Sequence, residues 1–327
     1  MIKNDSLENI IKEINQLSNV VVTSHLGPDG DSIGATLSMG LVLEKMAKKV
    51  TFLISDAIPA IYQFLPGAHK VVQKLPKSHE YDGVVLLDVF DVQRSSLNSF
   101  PRKKMGKVII LDHHLTQEKH GDFQHIDPEA AASGVLVYRF AKKVGIPITE
   151  DIAQNIYCCI LTDTGSFRYS SANPEAFQIA GEMVQCGAKP WELSKNIYES
   201  FPPKRFKLLA EVLKSLEISK DGKCALISIG QELLNKFDNE DDLTDGFINF
   251  PRSIKGVEVA IFLRQTGNNH FKASFRSGGS VDVRAICQKL GGGGHRNAAG
   301  CNLKGNEKEL KEKILSITHE FISEVTP

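Results

Sequence analysis

Three adjacent residues with chemically useful side chains, Asp112, His113 and His114, follow the apolar run 108–111. Carboxylates and imidazoles come at the ends of other apolar segments as well. These further residues are His25, Asp29, Asp31, Asp88 and Asp163. In an open α/β sheet, ligand sites form at the carboxyl ends of the strands. This supply of oxygen and imidazole ligands could hold two divalent metals that share a bridging carboxylate.

Each of these residues has a simpler interpretation when it is taken alone. A single histidine at a strand end is more often a hydrogen-bonded structural residue, and an aspartate before a helix is more often an N-cap. Asp31 is a candidate cap for a helix that begins near Ser32. An N-cap explains only one of Asp29 and Asp31, whereas a tight turn at Gly30 lets both carboxylates point into one space. The complete set therefore favours metal binding.

The composition is that of an ordinary globular protein, with 42% hydrophobic and 24% charged residues. A length of 327 residues suits two domains. Basic and acidic residues both number 39, so no global field attracts nucleic acid. The N-terminus lacks an apolar signal core, and no run approaches the roughly 18 apolar residues of a membrane span. These features predict a cytoplasmic protein without membrane contact, and the spacing of the six cysteines predicts reduced, buried thiols.

The first 200 residues alternate apolar strand-like runs with amphipathic helical stretches. This alternation predicts an α/β domain whose mostly parallel sheet is flanked by helices. The predicted strands are 20–25, 49–55, 83–89, 107–112 and, with a weaker pattern, 123–127. The predicted helices are 6–17, 31–48, 131–144, 150–162, 174–187 and 190–199.

A break at 201–203 separates this domain from a smaller α+β domain. The predicted strands there are 223–229, 257–266 and 270–277, with a hairpin turn at 267–269, and the predicted helices are 204–217, 282–290 and 306–324. The acidic stretch 238–242 is predicted to be a solvated loop leading into a helix, because it lacks the glycine and terminal glutamate of a calcium loop. The predicted organisation is a catalytic domain at 1–200, a linker helix at 201–217 and a substrate-binding domain at 218–327, with the active site in the interdomain cleft.

A second candidate site combines glycines with basic residues near the C-terminus. Four glycines, 291–294, precede His295 and Arg296. Glycine lets backbone N–H groups approach an anion closely, and the two basic residues add donors. Eight basic residues and only two acidic ones lie between 251 and 300, which indicates local anion binding in a neutral chain. A basic hairpin face without a ligand is the alternative.

The first set of residues resembles the signature motifs of the DHH phosphoesterase superfamily. The matching motifs are His25-x-x-x-Asp29-x-Asp31, Asp88, Asp112-His113-His114 and Asp163. That superfamily includes RecJ-type exonucleases, family II pyrophosphatases, cyclic-dinucleotide phosphodiesterases and small oligoribonucleases, and its members use two divalent cations. The resemblance implies manganese as the cofactor, with magnesium as the alternative.

The resemblance also implies a role for each matching residue. One metal would be held by His25, Asp29 and Asp88, and the other by Asp31, Asp88, His113 and Asp163. Asp88 would bridge the metals, and His114 would face the phosphate as a second catalytic residue. The C-terminal segment resembles the DHHA1 domain, which implies a set of substrate-binding residues. These are Arg264, Ser274, Arg276, Gly293, Gly294 and His295.

Length and the segment 160–170 resemble most closely the NrnA-like subgroup of this superfamily. This resemblance implies hydrolysis of short oligoribonucleotides and of 3′-phosphoadenosine-5′-phosphate (pAp) to mononucleotides and phosphate. RecJ-type nucleases are longer, and family II pyrophosphatases lack the glycine-rich ending. Two alternatives stay open: a phosphodiesterase for cyclic or linear dinucleotides such as c-di-AMP or pApA, and a non-catalytic nucleotide sensor. The expected partners are short RNA and small nucleotides, and a homodimer is left open.

Overall fold

The computed structural model describes residues 4–76, 78–114, 119–237, 241–294 and 296–325. The chain forms two compact units, Met1–Ser200 and Phe201–Pro327. None of the helices within the described ranges combines the length and the apolar character that crossing a membrane requires. The six cysteines are free thiols, and all are buried except Cys186, which is only partly buried.

The first unit contains a five-stranded parallel sheet. In chain order its strands are β1 (Asn19–Thr23), β2 (Lys49–Leu53), β3 (Gly83–Leu87), β4 (Lys107–Asp112) and β5 (Phe123–Ile126). Its helices are α1 (Leu7–Asn15), α2 (Gly30–Lys45), α3 (Ser133–Val144), α4 (Glu150–Asp163), α5 (Pro174–Gln185) and α6 (Pro190–Tyr198). The strand order is β2-β1-β3-β4-β5, and every pairing is parallel. The α/β fold expected from the sequence is confirmed, with element ends shifted by a few residues.

The sheet is buried on both faces, which explains why its strands are nearly continuous apolar runs. One face packs against the helices in a large cluster that includes Leu37, Phe140 and Ile156. The other face packs under the coil and short 3-10 turns that follow β3, through residues such as Leu97 and Met105. The strands are parallel, so their carboxyl ends lie at one edge of the sheet. The candidate ligands Asp88, Asp112 and His113 lie at this edge.

The second unit is built on a mixed six-stranded sheet. In chain order its strands are β6 (Glu217–Ile218), β7 (Cys224–Ile229), β8 (Val259–Gly267), β9 (His270–Ser277), β10 (Gly293–Gly294) and β11 (Ala298–Lys304). Its helices are α7 (Pro203–Leu213), α8 (Gln231–Lys236), α9 (Asn249–Arg252), α10 (Val283–Lys289) and α11 (Glu307–Val325). The strand order is β10-β11-β9-β8-β7-β6, and the expected hairpin joins the antiparallel strands β8 and β9.

Several short elements of the second unit differ from the sequence-based expectation. The helix predicted at 204–217 ends at Leu213, because residues 217–218 pair with β7 as strand β6. The last two residues of the acidic stretch, 241 and 242, begin a 3-10 helix, Asp241–Thr244. The rest of that stretch, 238–240, lies outside the described residues.

Candidate metal centre and nucleotide site

Two helices bring carboxylates from distant parts of the sequence to one point. Asp31 lies in the first turn of α2, and Asp163 is the last residue of α4. A Cβ atom at Gly30 would lie 2.5 Å from the Thr162 side chain, and one at Gly34 would lie 2.6 Å from a cysteine sulfur of α4. Only residues without a side chain permit this approach, so glycine allows the start of α2 to lie against the end of α4.

Asp88 occupies the middle of the cluster, directly after β3. One of its oxygens lies 3.3 Å from Nε2 of His25, and the other lies 3.3 Å from Nε2 of His113. Its backbone is left-handed, with φ +58°, which is uncommon for a residue other than glycine and is often found at functional sites. A carboxylate whose two oxygens face two different imidazoles has the arrangement that a bridging ligand needs.

Both imidazoles are oriented by their second nitrogen. Nδ1 of His25 lies 2.9 Å from the carbonyl oxygen of Leu26, and Nδ1 of His113 lies 3.1 Å from that of Ala130. A carbonyl can only accept, so Nδ1 carries the proton and donates it. Each Nε2 then faces the carboxylates, which is the ring orientation found in metal-binding histidines.

Asp31 and Asp163 complete the second half of the cluster. Nε2 of His113 lies 3.6 Å from Asp31 and 3.7 Å from Asp163. The carboxylate of Asp31 is buried and accepts hydrogen bonds from the backbone N–H groups of Ser133 (2.7 Å) and Gly134 (3.1 Å) at the start of α3. The Ser133 hydroxyl also donates to Asp88 (3.2 Å).

Sequence reasoning missed Ser133 and Gly134. The available signal was the run of small residues at 130–134, at the start of the helix predicted at 131–144, because small residues let a helix N-terminus approach a carboxylate.

Asp29, rather than Asp31, is the N-cap of α2. Its side chain accepts a hydrogen bond from the backbone N–H of Ser32 at 3.0 Å. Asp29 also lies 3.8 Å from Nε2 of His25, so one carboxylate can cap the helix and face the cluster. N-capping therefore accounts for Asp29. It does not account for the position of Asp31, whose carboxylate lies in the cluster.

Asp112 anchors the two histidines that follow it. Its Oδ1 accepts hydrogen bonds from the backbone N–H groups of His113 (2.7 Å) and His114 (3.1 Å) and from Nδ1 of His114 (2.7 Å). Its Oδ2 is buried without a hydrogen-bond partner among the described residues. The two rings meet edge to face with centroids 5.0 Å apart. His114 is thus held through its Nδ1 and its backbone N–H.

The electrostatics of the cluster are those of cationic imidazoles among carboxylates. Burial alone would lower the pKa of His25, but hydrogen bonds to Asp29 and Asp88 outweigh burial and raise that pKa to about 11. Burial and the charges of Asp88 and Asp163 raise the pKa of Asp31 well above its ordinary value. The carboxylates are thus in excess, and the cluster attracts cations.

The donor set fits divalent metals. Among the described residues, three groups of side chains each offer ligand atoms that lie within 4.8 Å of one another. Asp88 and His113 each belong to two of these groups. The groups are His25, Asp29 and Asp88; Asp31, His113 and Asp163; and Asp88, Asp112, His113 and His114. Mixed carboxylate and imidazole donors suit first-row divalent metals. The carbonyl groups that bind Nδ1 of His25 and His113 orient both rings and support the same conclusion.

The second unit brings its predicted residues onto one face of the sheet. Cross-strand pairing sets Arg264 opposite Lys272, and Ser274 and Arg276 follow on the same face of β9. The apolar cluster that covers this face takes members from β7 and β8, and none of its described members comes from β9 or β11. Among the described residues, this apolar cluster therefore does not extend to the part of the face that carries Ser274 and Arg276.

The glycine strand lies in register with this basic face. Gly293 pairs with Gly300, which in turn pairs with Ser274, so the three residues form one cross-strand row. Two strand spacings of about 4.8 Å place Gly293 roughly 10 Å from Ser274. Gly294 pairs with Ala299 one residue along. His295, also predicted to bind substrate, lies outside the described residues.

Comparison with known proteins agrees with the two units. The DHH family, N-terminal domain, matches residues 19–160, and the DHHA1 domain matches residues 224–324. The chain is 31% identical over 308 residues to the bifunctional oligoribonuclease and PAP phosphatase NrnA of Thermus thermophilus, covering 93% of this chain and 90% of that protein. It is 24% identical to the protein of the same name from Bacillus subtilis, covering 90% and 92% of the two chains.

A solved structure extends the likeness to three dimensions. An exopolyphosphatase-related protein from Bacteroides fragilis superposes with a TM-score of 0.87 at 28% identity, covering 97% of this chain and 95% of that one. The two domain matches, the identity to the Thermus protein and the ligand cluster at the strand ends agree with one another. The chain therefore belongs to the DHH family, as a DHH domain followed by a DHHA1 domain.

Proposed function

We propose that this protein is a two-metal phosphoesterase that hydrolyses short oligoribonucleotides and pAp to mononucleotides and phosphate. The observation that carries the proposal is the position of Asp88, whose two oxygens each face a different imidazole at 3.3 Å. Two relatives that match most of the chain, from Thermus thermophilus and Bacillus subtilis, are named for these two activities. A nucleotide sensor without catalysis would not need a carboxylate placed to join two ligand groups.

The proposed ligands divide into two groups that share Asp88. His25 and Asp29 would hold one cation with Asp88, and Asp31, His113 and Asp163 would hold the other with Asp88. Two divalent cations supply an activated water near neutral pH and neutralise charge on the phosphate. The backbone N–H groups that bind Asp31 and the carbonyls that bind the histidines fix the donor atoms before any cation arrives.

His114 is proposed to act on the substrate rather than to hold a metal. Its Nδ1 is held by Asp112 at 2.7 Å, and Nε2 is the atom proposed to donate a hydrogen bond to a phosphate or leaving-group oxygen. Burial would lower the pKa of His114, but the hydrogen bond to Asp112 outweighs it and raises that pKa. The raised pKa favours the protonated ring, which is the form that can donate from Nε2.

The basic face of the second unit is proposed to bind the nucleotide portion of the substrate. Arg264, Ser274 and Arg276 share one sheet face, and Gly293 and Gly294 form the edge strand of the same sheet. Guanidinium groups bind phosphate with charge-assisted hydrogen bonds, and glycine exposes backbone N–H donors. His295 is part of the same proposal on sequence grounds.

We further propose manganese as the native cation, because imidazole is a better ligand for manganese than for magnesium. The proposed location is the cytoplasm, where short RNA and pAp arise, and a homodimer is compatible with the proposal. The relative rates in the assay below rank the substrates.

A substrate panel tests the proposal. The purified protein is assayed with manganese or magnesium on pAp, pApA, c-di-AMP, pyrophosphate and RNA of two to ten nucleotides. We expect phosphate from pAp and mononucleotides from the shortest RNA. Turnover of c-di-AMP or pApA alone would establish the dinucleotide alternative. Binding of pAp without turnover of any substrate would establish the sensor.

A further inference from the structure

The loop after Asp163 holds an aromatic side chain in a strained conformation. Gly165, Ser166 and Phe167 are consecutive left-handed residues, with φ of +56°, +62° and +62°. Two of them carry side chains, so this conformation costs free energy and persists only because other contacts enforce it. The Ser166 N–H donates to the carbonyl of Leu161 at 2.7 Å, and the Phe167 N–H donates to the hydroxyl of Thr164 at 2.9 Å.

This loop supports an exposed ring on the neighbouring helix. Phe167 stacks on Phe177 of α5, with ring centroids 5.1 Å apart and planes at 28°. Tyr157 of α4 contacts Phe167 at 6.2 Å and fixes it from another side. Phe177 nevertheless remains 54% exposed. An aromatic ring that is held in place by a second ring but left open to solvent is a stacking surface for another planar group.

Two separate connections tie this stacking surface to the metal cluster. The first is the strained loop itself, which runs from Asp163 to Phe167 in four residues. The second is Asn173, the N-cap of α5, whose amide donates to the carbonyl of Glu129 at 2.9 Å. The next residue, Ala130, accepts the hydrogen bond that orients His113. Phe177 lies one helical turn after Asn173, so its position is coupled to that of the cluster.

The loop also carries a cation next to Phe167 in the sequence. Arg168 directly follows Phe167, is exposed, and donates from Nε to the carbonyl of Gly165 at 2.7 Å. Its terminal nitrogens have no hydrogen-bond partner among the described residues. A guanidinium group anchored at one nitrogen and open at the others is suited to a phosphate.

We propose that Phe177, supported by Phe167, and Arg168 form a subsite for an additional nucleotide of a short RNA. The base stacks on Phe177, and a backbone phosphate pairs with Arg168. The inference rests on the proposed function for the identity of the ligand and adds to it a site for RNA beyond the first nucleotide. pAp has a single nucleoside, assigned above to the basic face, and so does not use this subsite.

The kinetic test compares Phe177→Ala with Trp191→Ala. Trp191 is a matched control, because it is an aromatic residue of the same unit, on α6, and is 67% exposed. Loss of base stacking should lower kcat/KM for di- and trinucleotides about fivefold or more in Phe177→Ala. Turnover of pAp should stay within about twofold of wild type. Phe177→Trp should keep RNA turnover, and Arg168→Ala should raise KM for RNA.

A binding test separates this inference from the proposed function. A trinucleotide containing 2-aminopurine is titrated into the protein in EDTA, where stacking on Phe177 should quench the base emission and Phe177→Ala should not. If the wild type cleaves neither RNA nor pAp but shows this difference, the proposed function fails and the subsite stands. Equal RNA binding and turnover in Phe177→Ala and Trp191→Ala would overturn the subsite alone. A third outcome is that Phe177→Ala changes the molecular mass measured by light scattering but leaves RNA binding and turnover unchanged. Phe177 would then be a self-association contact, and the subsite would be overturned.

Discussion

Asp88→Asn isolates the charge of the central carboxylate from its shape. Asparagine has the same size as aspartate and tolerates a left-handed backbone, so the loop at φ +58° is expected to be retained. The amide can still accept the hydrogen bond from the Ser133 hydroxyl. The change therefore removes one negative charge between His25 and His113 and leaves the packing in place.

The size of the effect follows from the burial of Asp88. Its side chain is 4% exposed, and each of its oxygens lies 3.3 Å from an imidazole nitrogen. Losing a ligand that both proposed cations share should cost the transition state about 3–5 kcal/mol. Since about 1.4 kcal/mol corresponds to a factor of ten, we expect kcat/KM to fall between a hundredfold and a few thousandfold. The loss should apply to every substrate, because both proposed cations use Asp88.

The metal-free protein should also lose stability. Burial alone would raise the pKa of Asp88, but hydrogen bonds to His113 and His25 outweigh burial and lower that pKa well below its ordinary value. The charge of Asp88 therefore stabilises the folded protein, and the Tm of Asp88→Asn in EDTA should be lower than that of the wild type. Added manganese should raise the Tm of the wild type and should have little effect on the variant.

The assay measures pAp turnover, bound manganese and Tm on the same preparations. Asp82→Asn is the control, because Asp82 also accepts hydrogen bonds at a strand end, from Ser18 and Asn19, but lies outside the cluster. The control should keep both activity and metal. If Asp88→Asn retained more than about a tenth of wild-type activity with two metals bound, the bridging role would be refuted.

Three further substitutions test other parts of the molecule. His114→Ala should lower kcat while the protein still binds two manganese ions, and loss of one ion by metal analysis would exchange the roles of the two adjacent histidines. Arg264→Ala should raise KM for pAp and dinucleotides but leave bis(p-nitrophenyl) phosphate turnover nearly unchanged, and equal losses on both substrates would exclude a role in substrate binding. Arg205→Ala should destabilise the second unit by about 2–4 kcal/mol in urea denaturation. Arg205 is 7% exposed, its guanidinium lies between the rings of Phe201 and Phe247, and it donates to two carbonyls; a loss below about 0.5 kcal/mol would contradict this reasoning.

The sequence determined the α/β class and the approximate position of each long element. Strands such as β3 and β4 are continuous apolar runs because they are buried on both faces, and a local pattern of this kind can be recognised without knowing the partners. The candidate ligands were also visible locally, since each follows the end of an apolar segment. Parallel strands end at a common edge, so the proximity of Asp88 and His113 could be expected from the order of the apolar runs alone.

Only the tertiary structure decided how the side chains in the cluster are oriented. Asp29 and Asp31 are equivalent by sequence pattern, but Asp31 meets the N-terminus of α3 more than one hundred residues later, and Asp29 is left to cap α2. The left-handed backbone of Asp88 is likewise set by its neighbours. Contacts of this kind join residues far apart in the chain, so no local pattern specifies them.

The same distinction applies to the second unit and to the aromatic pair. The excess of basic residues within 251–300 could be counted in the sequence. Only the cross-strand register showed that Arg264, Ser274 and Arg276 share one face of the sheet. The stacking of Phe167 on Phe177 joins a strained loop to a helix, and the exposure of Phe177 depends on everything that packs nearby. Residue types and periodicity are local properties of a chain, whereas facing, stacking and exposure arise only when distant segments pack together.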